Sequence, residues 1–285
     1  MKRKVDMYVV TYNNDKILND WFLRSLHDSS FPRDAVRVTI INNYSDCIEY
    51  DRSLVEGIEF RVFHNQVRPD GSHGHLARNW NQAILLGFES LTAPVSEYVV
   101  AVQNDTKLTP NWFEEMMGVM SDYDYLTMGI GDQFQVWAPE AVHNIGMYDE
   151  RFCGIGFQEG DYFLRARLYY AGRSSINDHG HCRRLNLVWD GEKHFIVRSD
   201  TERGIGRKDG RSEHIAEEAL KEFGYIEKVF DRKWGDGLEC NRLKYDWDVV
   251  YLSQFVGREA RDKQFYLYPY FEKEIRNREK LYAII

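Results

Sequence analysis

The stretch "VVAVQNDTKLTPNW", residues 99–112, decides the fold. An apolar run, Val99 to Val102, stops abruptly at Gln103-Asn104-Asp105-Thr106. Short unbroken apolar runs are the pattern of strands buried on both faces, as in parallel sheets. Thr109-Pro110 follows as a helix-start signal, with Thr109 as N-cap and Pro110 in the first helical position. A buried strand that ends on a carboxylate flanked by amides and a hydroxyl has two readings. One is an ordinary polar turn. The other is a strand tip that presents an acid to a metal or a nucleotide, since hard cations take carboxylate oxygens.

Working outward, the pattern repeats. Met7–Thr11, Val36–Ile41, Ile58–Phe63 and Tyr98–Val102 read as strands. Ile17, Leu18, Trp21, Phe22 and Leu26 recur at helical spacing, and so do Leu76, Trp80, Ala83, Ile84 and Gly87 within His75–Ser90. Strands alternating with helices predict an α/β domain with a mixed, mostly parallel sheet flanked by helices. Ligands of such sheets bind outside the carboxyl ends of the strands. Asn13-Asn14-Asp15, Asn42-Asn43 and Gln103-Asn104-Asp105 all follow strands, so three polar tips are expected along one edge.

The chain has 285 residues, enough for one large domain and a smaller appendage. The first unit is placed at residues 1–190 and a mainly helical C-terminal extension at 191–285, on the acceptor side or in an oligomer contact. A formal net charge of −8 argues against non-specific nucleic-acid binding, which needs a basic face. Cys47, Cys153, Cys182 and Cys240 form no CxxC pair, so they are read as reduced thiols rather than zinc ligands. No run resembles a signal peptide or a membrane-spanning helix, and a soluble, cytoplasmic protein is expected.

Beyond residue 125, Phe134–Ala138 reads as a strand and Pro139–Ile145 as a short helix ended by Gly146. Gly154-Ile155-Gly156-Phe157-Gln158-Glu159-Gly160-Asp161 is a glycine-rich acidic turn that opens a helix. Its acids suit the positive end of the helix dipole; equally, a carboxylate on such a turn can serve as general base to a hydroxyl. Asp178-His179-Gly180-His181 follows a predicted strand at Ser174–Asn177, and its histidines are either surface residues or metal partners for Asp105. Arg203, Arg207, Lys208 and Arg211 lie among Gly204, Gly206 and Gly210, a solvated loop or one that closes over a diphosphate. There is no GxxxxGK[ST], and Tyr12-Asn13-Asn14-Asp15 stands where a dinucleotide enzyme carries GxGxxG.

In order, "VDMYVVTYNN" (5–14), "VTIINNYSD" (38–46), "GHLARNWNQAI" (74–84), "VVAVQNDTKLTPNW" (99–112), "GIGFQEGDYFLRARLYYAG" (154–172) and "FDRKWG" (230–235) resemble the motifs of nucleotide-sugar glycosyltransferases of the GT-A fold, family 2. The resemblance implies the GT-A (nucleotide-diphospho-sugar transferase) fold and an inverting, metal-dependent hexosyltransferase-like activity. The expected donor is a UDP-sugar, the cofactor Mn²⁺ or Mg²⁺, and the acceptor a hydroxyl of a glycan or glycoconjugate in glycan biosynthesis. It further implies that Thr11, Tyr12, Asn13 and Asn43 border the base, that Arg78 approaches the base or diphosphate, and that Asn104 and Asp105 sit at the donor. Asp105 would hold the metal, aided by His179 or His181. Glu159 would be the catalytic base, with Asp161 the competing acid that supports the helix. The sequence departs from the family at Gln103, at Gln158-Glu159 and at Asn43, where acids are usual. A sugar-nucleotide pyrophosphorylase would carry a glycine- and arginine-rich loop after the first strand, unlike Asn13-Asn14-Asp15. A non-catalytic nucleotide- or carbohydrate-binding protein derived from a transferase is the alternative from another class.

Overall fold

The computed structural model describes residues 3–12, 14–44, 46–65, 76–128, 134–152, 158, 161–162, 182–185, 197–198 and 228. The elements run β1 (Arg3–Thr11), α1 (Asp15–Ile17), a π-helical stretch Leu18–Leu23, α2 (Arg24–Asp28), β2 (Val36–Asn42), β3 (Glu59–His64), α3 (Leu76–Phe88), β4 (Ser96–Gln103) and β5 (Lys107–Leu108). They continue as α4 (Trp112–Met120), β6 (Tyr125–Met128), β7 (Phe134–Trp137), α5 (Pro139–Ile145), β8 (Cys182–Leu185) and β9 (Val197–Arg198).

Seven strands form one sheet in the order β3-β2-β1-β4-β7-β6-β8, and β5 pairs with β9 apart from it. The pairs β1–β2, β2–β3, β1–β4 and β6–β8 are parallel, whereas β7 runs antiparallel to both β4 and β6. Alternation along each strand divides the core in two. Tyr8, Val10, Val99, Ala101 and Trp137 face one side, where Trp80, Ala83 and Ile84 of α3 and Val142 of α5 cover them. Val5, Met7, Val9, Val100 and Val102 face the other, under Leu18, Phe22 and Leu26 of the first helical segment and Trp112 and Met116 of α4. Both faces are thus dry, which is why these strands read as apolar runs without a polar alternation.

The helix α3 comes close to the sheet at Gly87, where a Cβ would overlap Val99 Cγ2 and stand 3.1 Å from Tyr8 Cε2. The start of α4 departs from the expected Thr109-Pro110: the helix begins at Trp112, with Asn111 in the N-cap position and no side-chain cap. The chain at Thr109-Pro110 is instead held by tertiary bonds. Leu108 N donates to Ser25 Oγ at 3.0 Å, and Ser30 N donates to the Pro110 carbonyl at 2.8 Å. These bonds hold residues 108–110 out of the helix, and Lys107–Leu108 pair as β5 with β9. Gly146 ends α5 as expected, at φ 97°, in the left-handed region that favours glycine.

The predicted strand at 174–177, the loop at 200–213 and the helical reading of 213–285, Lys228 excepted, lie outside the described residues. Among the described residues no helix is long and apolar enough to cross a membrane.

Candidate functional site at the carboxyl edge of the sheet

The strand order fixes where a ligand site belongs. From β1 the chain proceeds to β2 and β3 on one side and returns to β4 on the other. The switch point therefore lies between the carboxyl ends of β1 and β4, where crevices form in open α/β sheets. Register pairs Val10 with Gln103 and Thr11 with Asn42, and Asn42 with His64. The four tips are thus level.

Pairing continues one step past the strands. Asn104 N donates to Val10 O at 3.2 Å, Asn43 N to Thr11 O at 3.0 Å and Asn65 N to Asn42 O at 2.9 Å. These bonds fix the first residue of each tip. Across the switch point, Asn104 Nδ2 donates to Thr11 Oγ1 at 3.0 Å. Tyr12 meets Tyr44 edge-on, with ring centroids 5.4 Å apart, an arrangement aromatic pairs favour. Asp105 follows directly in a turn closed by Thr106 N donating to Gln103 O at 3.1 Å; its side chain is half-buried, with Oδ1 sealed from solvent.

Asn42 and Asn43 divide their labour. Asn42 builds the loop: its Nδ2 donates to Asp46 O at 2.8 Å and its Oδ1 accepts from Tyr44 N at 3.0 Å, an Asx-type turn. Asn43, 4% exposed, turns instead to other side-chain amides. Asn65 Nδ2 lies 3.0 Å from Asn43 Oδ1, 3.0 Å from Gln82 Oε1 and 3.4 Å from Asn79 Oδ1. Gln82 Nε2 donates back to Asn65 Oδ1 at 3.4 Å. Among the described residues, the buried Nδ2 groups of Asn43 and Asn79 have no hydrogen-bond partner. The sequence marks Asn43 as a strand-end residue but not Asn65, Asn79 or Gln82. The signal was the strand pairing, which sets the residue after β3 beside the residue after β2.

Thr11, Asn43, Asn104 and Asp105 therefore share one edge, with Tyr12 beside them. Arg78, in the first turn of α3, is held by Glu150 at 3.3 Å in a pair exposed on both sides. Asp161 is fully buried and is followed by Tyr162, which stacks on Tyr148 with centroids 4.1 Å apart. Asn13, Glu159, His179 and His181 lie outside the described residues.

Among the described residues no three His, Cys, Asp or Glu side chains converge as a ligand group. A cation that takes most of its oxygens from substrate phosphates and water needs only one or two carboxylates. Asp105, at the tip of the central strand, fits as such a single anchor.

No protein-family model matches the chain, and no curated protein matches its sequence. Among solved structures, that of S. aureus TarS is similar with a TM-score of 0.50 at 12% identity, over 92% of this chain and 43% of TarS. The chain thus spans less than half the length of TarS. S. aureus TarS 1–349 in complex with UDP is similar at 14% identity over 92% and 73% of the two chains, TM-score 0.47. The mannosyltransferase PcManGT from Pyrobaculum calidifontis, in complex with GDP-Man and Mn²⁺, is similar at 11% identity over 99% and 85%, TM-score 0.46. The fold is the GT-A fold of nucleotide-sugar glycosyltransferases.

Proposed function

We propose that the chain is an inverting, metal-dependent glycosyltransferase that moves a sugar from a nucleotide-diphosphate donor, a UDP-sugar, to a hydroxyl of a glycan or glycoconjugate. The observation that carries the reading is the junction of Thr11, Asn104 and Asp105 across the switch point between β1 and β4. The ordered motif resemblance supports it. Thr11, Tyr12 and Asn43 border the base, and Asn13 follows them in the chain. Arg78 exchanges its exposed partner Glu150 for a donor oxygen, an inexpensive exchange because exposed pairs contribute little.

Asp105 anchors the cation, with His179 or His181 as second ligand. Bound there, Mn²⁺ or Mg²⁺ supplies charge neutralisation for the departing diphosphate. Glu159 accepts the proton of the acceptor hydroxyl as its oxygen bonds to the anomeric carbon and the bond to the diphosphate oxygen breaks. Asp161, buried beside the Tyr148–Tyr162 stack, supports the helix that carries this turn.

Gln103 in place of an acid, and Gln158 buried beside Glu159, favour the second reading, a nucleotide-binding protein without turnover. Thermal shift with UDP-, GDP- and dTDP-sugars, with and without Mn²⁺, coupled to nucleotide release, separates the two. A UDP-sugar is expected to raise Tm most, more so with Mn²⁺. Glu159→Gln is expected to slow transfer ~10²–10⁴-fold with donor binding intact. Donor binding with no release by the wild-type chain points to the second reading, and no response to any nucleotide overturns both.

A further inference from the structure

The amide cluster at the tips of β2 and β3 has an unusual hydrogen-bond inventory. Four amides, Asn43, Asn65, Asn79 and Gln82, converge, and three of their oxygens surround the one Nδ2 of Asn65. An NH₂ group has two hydrogens, so three acceptors exceed its capacity. At the same time the Nδ2 groups of Asn43 and Asn79, on residues 4% and 1% exposed, have no acceptor among the described residues. Buried donors without acceptors are costly, and each such group needs a physical reason.

A half-turn of each amide exchanges its oxygen and nitrogen while every side chain keeps its place. Asn65 Oδ1 then accepts from Asn43, Asn79 and Gln82, and Asn65 Nδ2 donates to Gln82 Oε1. The contacts are equal in number, but the two outer amides now leave oxygens, not NH₂ groups, unpartnered. The cluster therefore has two internally consistent polarities of similar quality. Asn65 is the hub of both.

We propose that Asn65 is a specificity-determining residue, and that the polarity of this cluster is set by the nucleobase beside Asn43. This rests on the reading that a nucleoside diphosphate binds at these strand tips. Uracil and cytosine match in shape but differ at N3, which is an N–H donor in uracil and a bare acceptor in cytosine. In the donor-out state Asn43 Nδ2 satisfies cytosine N3. In the acceptor-out state Asn43 Oδ1 takes the uracil N3 hydrogen. A carboxylate at position 43 would have one polarity only; the asparagine, backed by three other amides, has both. The chain therefore discriminates weakly between the two pyrimidines.

The test is calorimetric titration of the full chain with UDP and with CDP, both in Mn²⁺. The wild-type affinities are expected within about threefold of each other. Asn65→Asp makes the hub an acceptor only, so Asn43 and Asn79 turn their NH₂ groups inward and leave oxygens outward. UDP is then expected to gain on CDP by about tenfold, the weight of one hydrogen bond. Asn79→Asp acts in the opposite sense: a carboxylate at 79 can only accept, so it holds Asn65 Nδ2 toward positions 43 and 79, fixes the donor-out state and moves the ratio toward CDP. The common diphosphate cancels in the ratio, and a loss of folding lowers both affinities together. Opposed shifts in the two variants sustain the proposal. A wild-type preference beyond tenfold, or a ratio unchanged in both variants while nucleotides still bind, overturns it and leaves the nucleotide site standing. Binding of neither nucleotide to the wild-type chain overturns the proposal together with the reading beneath it.

Discussion

The two ends of the same three strands are built on opposite terms. At the amino end, Asp6 of β1 receives Arg37 of β2 through two bonds, Nε to Oδ1 at 2.9 Å and Nη2 to Oδ2, with both side chains almost wholly buried. Glu59 of β3 completes the set, 3.1 Å from Arg3 and 2.6 Å from Arg61. Each of these five charges meets an opposite charge, and the Asp6–Arg37 pair does so inside the fold. At the carboxyl end, Thr11, Asn43 and Asn65 are neutral, and two buried NH₂ groups lack acceptors among the described residues. A buried charge left unpaired is far more costly than an unpaired amide. A fold therefore closes its charged networks internally, while neutral amides can be left open for a ligand.

The largest break in this comparison is Arg37→Leu. Removing one partner of a buried pair typically costs ~3–5 kcal/mol, because the other charge stays behind. Burial already pushes the Asp6 carboxyl above its ordinary value, against the pull of Arg37. Without Arg37 it rises further. A raised carboxyl contributes stability that is fully present below the unfolded-state value, about 3.9, and is lost as pH rises through the folded value. The deficit of the variant should therefore shrink between pH 7 and pH 4. Urea melts at the two pH values check this; an equal deficit at both means that the Asp6 charge is not the cause.

Gly87→Ala probes the same half of the sheet by packing, since Val99 is the register partner of Asp6. Alanine favours a helix interior by up to ~1 kcal/mol. The overlap with Val99 and the 3.1 Å approach to Tyr8 leave the new methyl no room, and overpacking costs about 1–3 kcal/mol. A lower Tm with unchanged UDP affinity is expected. A higher Tm would show that α3 can lift off the sheet freely.

Thr11→Val moves to the carboxyl end. It keeps the shape of the side chain and deletes the acceptor of Asn104 Nδ2. Asn104 is half-buried and can turn to water, so the stability cost should stay within ~0.5–1.5 kcal/mol. UDP affinity should fall disproportionately, because this bond spans the switch point. Calorimetry beside a urea melt decides; stability lost with affinity intact would make Thr11 a structural residue like Arg37.

The amino-acid pattern shows one end of this molecule better than the other. Strands β1, β2 and β4 and helix α3 are legible because runs such as Val99–Val102 and the spacing of Trp80, Ala83, Ile84 and Gly87 carry their own period. The start of α4 is misread by two residues because Ser25 and Ser30, distant in sequence, hold residues 108–110 out of the helix. The two-residue strands β5 and β9 have too few residues for a period at all. At the site, Thr11, Asn43, Asn104 and Asp105 are legible as residues that end strands. Asn65, Asn79 and Gln82 are not, since their cluster forms only when the β2–β3 register and the packing of α3 bring three segments together. Asn13, Glu159, His179 and His181 rest on the sequence alone, because they lie outside the described residues.

The smallest expected change in stability sharpens the comparison most. Asp105→Asn keeps size and most hydrogen-bonding capacity while deleting one negative charge from a tip whose neighbours Gln103 and Asn104 are neutral. Asp105 stands at the switch point, away from the Asp6–Arg37–Glu59 group at the amino end of the strands. Its side chain is half-buried, so the substitution should shift stability by no more than ~0.5 kcal/mol, as surface changes usually do. The charge matters for a ligand instead: the anchor of a hard cation must be an anionic oxygen, and an amide oxygen is a much weaker one. UDP binding measured with Mn²⁺ should drop in Asp105→Asn to the level that both proteins show with EDTA, and the metal-free affinities should agree. The opposite pattern, a large loss of stability with the Mn²⁺ increment preserved, would place Asp105 with the enclosed charges of the amino end and leave the switch point without its anchor.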